Sequence, residues 1–146
     1  MLTFVQSDIA IPAVAARSRD IRHLVICPQP IRPQHCAVYL AAREQVVRDC
    51  SHGDAARIVL LTGRSRDVGP LPFDIPVDIL PVFTEPGPGQ HTRINRAIFS
   101  CIFASTRPDT VFRIHTSRHP ILLPILEGMR TLGIAYSIKP GNGSVS

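Results

Sequence analysis

The segment His115-Thr116-Ser117-Arg118-His119-Pro120 gathers two imidazoles, two hydroxyls and a guanidinium within five residues. An apolar run precedes it and a helical pattern follows it. Phosphate is the natural partner for such a set. Hydroxyls donate to its oxygens, the planar fork of Arg118 neutralises its charge, and the free N–H groups of a helix N-terminus attract anions. His115 and His119 are the candidate acid–base pair, since a free imidazole titrates near neutral pH. Two plainer readings stay open. Thr116 or Ser117 could simply cap the helix, and His115 with His119 could ligate a metal, although the sequence offers no third ligand. Gln6-Ser7-Asp8 is the second polar cluster, with Asp8 either accepting from a ribose hydroxyl or a base, or capping the turn into Ile11-Pro12. Gln29, between Pro28 and Pro30, is a third candidate contact or an ordinary turn residue.

Several chemistries lack their motifs. The chain has no Gly-x-x-x-x-Gly-Lys-Ser/Thr loop, no Gly-x-Gly-x-x-Gly after an early strand and no Gly-x-Ser-x-Gly elbow. P-loop hydrolysis, dehydrogenase-type dinucleotide binding and α/β-hydrolase catalysis are therefore set aside. Eleven carboxylates without an obvious close pair argue against two-metal nucleases and glycosidases. No cofactor and no metal is implied. Gly87-Pro88-Gly89 could bring backbone N–H groups to a phosphate, but Pro88 removes one donor, and a strand-to-helix turn is the simpler reading. His23 lies in a predicted strand and carries no expected role.

The 146 residues suit one α/β domain, read as 1–140 with a flexible tail at 141–146, and 45% hydrophobic residues are enough to bury a core. Four cysteines without Cys-x-x-Cys spacing read as buried reduced thiols and point to the cytoplasm. Among the basic residues, fifteen arginines stand against one lysine, and the net charge is +5. That balance permits a phosphate-bearing partner, although a GC-rich genome produces the same bias without function. With only two Tyr and six Phe, platforms for stacking bases along single-stranded nucleic acid are scarce, and no sequence-specific nucleic-acid partner is expected. No apolar run is long enough to span a membrane.

These residues need elements to hold them. Apolar or β-branched runs at 2–6, 22–27, 57–62, 77–83, 110–115 and 134–138 predict six strands, with Pro81 demoting the fourth to a sheet edge or a bulge. Helices are predicted after Pro33, over 90–105 and over 120–132, the last closed by Gly133. Strands that are apolar throughout, alternating with helices, predict a mostly parallel six-stranded Rossmann-like sheet with helices on both faces. In such sheets ligands bind at the carboxyl ends of the strands.

The first run, Leu2-Thr-Phe-Val-Gln-Ser-Asp-Ile-Ala-Ile-Pro12, and the late Val111-Phe-Arg-Ile-His-Thr-Ser-Arg-His-Pro120, with the helix and the Tyr136 strand after it, resemble a known family. It is the CRISPR-associated Rossmann fold (CARF) domain, and the closest likeness is to the sensor domains of CARF–nuclease effectors in type III CRISPR systems. Within the Thr-Gly-Gly-Thr-Lys-like loop of that family only Thr116 keeps its type; Ser117 and Arg118 stand where small residues are expected, and no Lys follows. The resemblance implies a homodimer binding a cyclic tetra- or hexa-adenylate across its two-fold axis. It implies that Gln6, Ser7 and Asp8 contact ribose or base, and that Thr116, Ser117 and Arg118 contact phosphate. Some relatives also cleave the ring without metal, a step in which His115 or His119 would assist. The alternative is a Rossmann-like enzyme for a phosphorylated or nucleotide metabolite.

Overall fold

Largely apolar strand runs call for a sheet with helices on both faces, and the computed structural model, which describes residues 19–28, 32–83, 89–116 and 120–140, has that arrangement. Its strands are β1 (Asp20–Cys27), β2 (Ala55–Thr62), β3 (Val77–Leu80), β4 (Thr110–Thr116) and β5 (Ala135–Pro140). They pair in the order β3-β2-β1-β4-β5, every pair parallel. The described residues thus form a five-stranded sheet rather than the six strands expected, and the run at 2–6 lies outside them. The arrangement is compatible with the Rossmann-like class.

Helix α1 (Ala37–Ser51) covers one face, and α2 (Gln90–Cys101) with α3 (Leu122–Leu132) covers the other. The strand period of two explains the division. Along β1, Ile21 and Val25 meet Tyr39, Ala42 and Val46 of α1, whereas Leu24 and Ile26 meet Ile98, Ile125 and Met129 of the opposite pair. All eight residues of β1 are buried, as the central strand requires.

Local chemistry trims the predicted elements. Helix α1 does not begin directly at Pro33: a short 3-10 turn occupies Pro33–His35 and Cys36 caps the helix. Its buried stripe is Val38, Tyr39, Ala42 and Val46, while Leu40, Val47 and Cys50 are only half-buried. The helix expected over 90–105 ends at Cys101 and gives way to a 3-10 turn at Phe103–Ser105. Pro81, which has no N–H to donate, stops β3 at Leu80, and β3 is an edge strand. Gly133 ends α3 in the left-handed region at φ 71°.

The topology also selects an edge. From β1 the chain passes through α1 to β2 and on to β3; it then crosses back through α2 to β4, on the other side of β1. Strand order therefore reverses between β1 and β4, and in open α/β sheets ligands bind at the carboxyl ends of the strands at such a reversal.

Candidate functional site

Of the residues expected to make the site, His115 and Thr116 are described; Gln6, Ser7, Asp8, Gln29, Ser117, Arg118 and His119 lie outside the described residues. His115 and Thr116 are the last two residues of β4, and consecutive strand residues face opposite sides. Thr116 shares its side of the sheet with Phe112 and Ile114, under α2 and α3, and is buried. His115 points to the α1 side, 3% exposed.

There it joins a partner the sequence reading passed over. His23 Nδ1 lies 2.9 Å from His115 Nε2, and His23 Nε2 lies 2.6 Å from Asp49 Oδ2 on α1. The two imidazoles stack with centroids 5.2 Å apart. Arg113, two residues before His115, approaches the other oxygen of Asp49 at 3.7 Å. Proton bookkeeping orders the chain. An ionised Asp49 accepts the Nε2–H of His23, which makes His23 Nδ1 the acceptor for the Nε2–H of His115. The lone pair of His115 is then on Nδ1.

Burial sets the charge state of both rings. It holds His23 below the ordinary imidazole value despite the adjacent Asp49 carboxylate. It lowers His115 further, to about 3, with help from His23 and the cations Lys139 and Arg113. His115 is therefore a neutral, orientationally locked imidazole at physiological pH. A histidine leading into the apolar Leu24-Val25-Ile26 of a buried strand was the available signal for His23, because a buried polar group must find a partner. Its partners are 26 and 92 residues away, so sequence spacing could not name them.

The carboxyl edge carries a second reactive pair. Cys27 ends β1, and Cys36 is the N-cap of α1 beside it; both are free thiols and buried. The Cys27 thiol, followed by the backbone N–H groups of Tyr39 and Val38, draws Cys36 down to about 6 against the opposing effect of burial. Cys27 is pushed up by Cys36 and by burial.

At the amino edge the polar contacts are structural. Arg22 donates from Nε to Asp20 at 3.2 Å, and from its two terminal nitrogens to Ser105 Oγ at 2.7 Å and Ser105 O at 2.8 Å, while Thr110 also donates to Asp20. This ties the 3-10 turn after α2 to the start of two strands. Among the described residues no group of three or more His, Cys, Asp or Glu could hold a metal ion, and no helix is long and apolar enough to cross a membrane. No family model, no curated protein and no solved structure matches the chain.

Proposed function

We propose that this protein is a CARF-like sensor that binds a cyclic oligoadenylate at the carboxyl edge of its sheet. The observation that carries this reading is the reversal of strand order between β1 and β4. The chain leaves those two strands directly into Pro28-Gln29-Pro30 and Ser117-Arg118-His119. In the proposed complex Thr116, Ser117 and Arg118 serve the phosphates, Gln6, Ser7 and Asp8 serve ribose or base, and Gln29 adds a contact. A homodimer brings two copies of these groups to a ring that is itself two-fold symmetric. A ring-cleaving version needs no metal. His119 supplies the acid–base group there, while His115, neutral and locked by His23, orients rather than titrates.

A second reading is a Rossmann-like enzyme for a phosphorylated or nucleotide metabolite. The thiol of Cys36 at the N-terminus of α1, on the same edge, favours it, because the Cys27 thiol and the backbone N–H groups of Tyr39 and Val38 hold it below the ordinary thiol value.

Thermal shift with cyclic tetra-adenylate, cyclic hexa-adenylate, linear oligoadenylates and mononucleotides separates the two. One ring should raise Tm selectively, and Arg118→Ala should abolish that rise while leaving the unliganded Tm in place. An unchanged Tm with both rings refutes the sensor reading. Stabilisation by a phosphorylated metabolite, lost in Cys36→Ser, would establish the second.

A further inference from the structure

At the amino ends of the strands, opposite the carboxyl edge, a cavity of about 590 Å³ opens beside Ala55, Ala56 and Pro76. Its size falls in the range of about 300–1,000 Å³ typical of small-molecule pockets. Arg22, Arg57 and Arg107 line it against Asp20 and Asp54. Both carboxylates are already satisfied, Asp20 by Arg22 and Thr110, and Asp54 by the backbone N–H and guanidinium of Arg19. Arg57 and Arg107 are held differently. Arg57 meets the exposed carboxylate of Asp78 through one nitrogen at 3.2 Å, and Arg107 forms a bidentate pair with the exposed Asp109, at 3.0 and 2.9 Å. Both carboxylates are exposed, so an anion that recruits either guanidinium strands no buried charge; the single contact of Arg57 yields more readily than the two-point hold on Arg107.

Phe73 completes the lining and is the unusual residue. Its φ is 63°, and Asp74 after it has φ 52°, so two successive residues with Cβ atoms occupy the left-handed region. The turn is pinned on both sides, since Leu71 and Ile75 pack into the core beneath α1. Phe73 between them remains 63% exposed. The chain thus bears a strained backbone and a solvated aromatic ring at one position, and strain of this sort collects where ligands are handled. A ring held at the margin of a cavity beside two guanidiniums whose carboxylate partners are exposed suits a ligand with a flat face and an anionic group.

We propose that this cavity is a second binding site, for a nucleoside monophosphate, with the base stacked on Phe73 and the phosphate shared by Arg57 and Arg107. The site is independent of the carboxyl-edge reading and stands whether or not a cyclic ring binds there.

The test is titration of the ¹⁵N-labelled full chain with AMP, followed by amide chemical shifts, with adenosine and inorganic phosphate as separate arms. AMP should move the amides of Ala55, Ala56, Phe73, Asp74 and Arg107 saturably, and bind more tightly than either fragment. Phe73→Ala should weaken AMP about tenfold, the worth of one base–aromatic stack, and leave phosphate unaffected. Arg57→Gln with Arg107→Gln should weaken AMP and phosphate but spare adenosine. Amides unmoved by millimolar AMP overturn the proposal. So do shifts confined to the carboxyl edge, or AMP and phosphate binding equally with Phe73→Ala silent.

Discussion

His23 and His115 place two imidazoles among the apolar residues beneath α1, and Asp49 makes that tolerable by completing a hydrogen-bonded chain. Removing the middle member leaves His115 Nε2 without its partner and Asp49 with Arg113 at 3.7 Å. His23→Ala should therefore lower stability by about 2–4 kcal/mol, combining unmet polar groups with a cavity, and urea denaturation measures it. The same chain sets a pH dependence. Both rings are harder to protonate in the fold than in the unfolded chain, so the unfolded state takes up protons first as pH falls. Stability should be complete above about pH 6.5 and decline as pH drops toward about 3, the value to which burial lowers His115. Each ring contributes a slope of about 1.4 kcal/mol per pH unit within its window. A urea midpoint that stays flat from about pH 7 to about pH 4 contradicts this. Asp20 and Asp54 act lower still. Hydrogen bonds from Thr110 and Arg22 to Asp20, and from Arg19 to Asp54, overcome burial and keep both below the usual 3.8, so their contribution is lost only as pH falls through those depressed values.

Between elements, the contact of α3 with α2 and its following turn depends on one missing side chain. A Cβ at Gly128 would meet Phe103 Cε2 at 2.8 Å and Phe99 Cζ at 3.0 Å, and those rings pack edge to face with centroids 4.9 Å apart. Alanine gains about 1 kcal/mol of helix propensity over glycine, but overpacking costs about 1–3 kcal/mol and should win. Gly128→Ala is expected to destabilise by up to about 2 kcal/mol, and adding Phe103→Leu should recover most of that loss. A stabilised Gly128→Ala variant in urea would mean that the rings yield freely. Much at this scale is legible in the chain. The 3.6-residue repeat identifies Ile94, Ile98 and Ile102 as core, and the five strand runs from 22 onward are legible from their apolar and β-branched residues, with Pro28, Gly63 and Pro81 closing the first three. Which apolar residues of α1 are buried is not legible, because Leu40 and Val47 are as apolar as Val38 and Ala42, and only the position of the helix on the sheet chooses.

For the whole molecule, the sheet separates two edges with different work. The carboxyl edge has the reversal of strand order, the Cys27–Cys36 pair and the segments proposed to grip a ring; the amino edge has the arginine-lined cavity and Phe73. If the two sites act as argued, Phe73→Ala should leave the Tm rise with a cyclic oligoadenylate intact, and Arg118→Ala should leave the AMP-induced amide shifts intact. Loss of both responses in either variant would mean a single site or a collapsed fold. Composition and periodicity by themselves determined the α/β class, the parallel sheet and the helices that cover it, because the pattern of burial is written locally, every second or every third to fourth residue. They also marked His115 as a residue with chemistry. Only the tertiary structure decided its state, since its charge and tautomer depend on His23 and Asp49, which reach it through strand pairing and helix docking. The amino-edge cavity was likewise invisible in the chain, because Arg22, Arg57, Phe73 and Arg107 come from four separate segments that only the folded sheet brings to one rim.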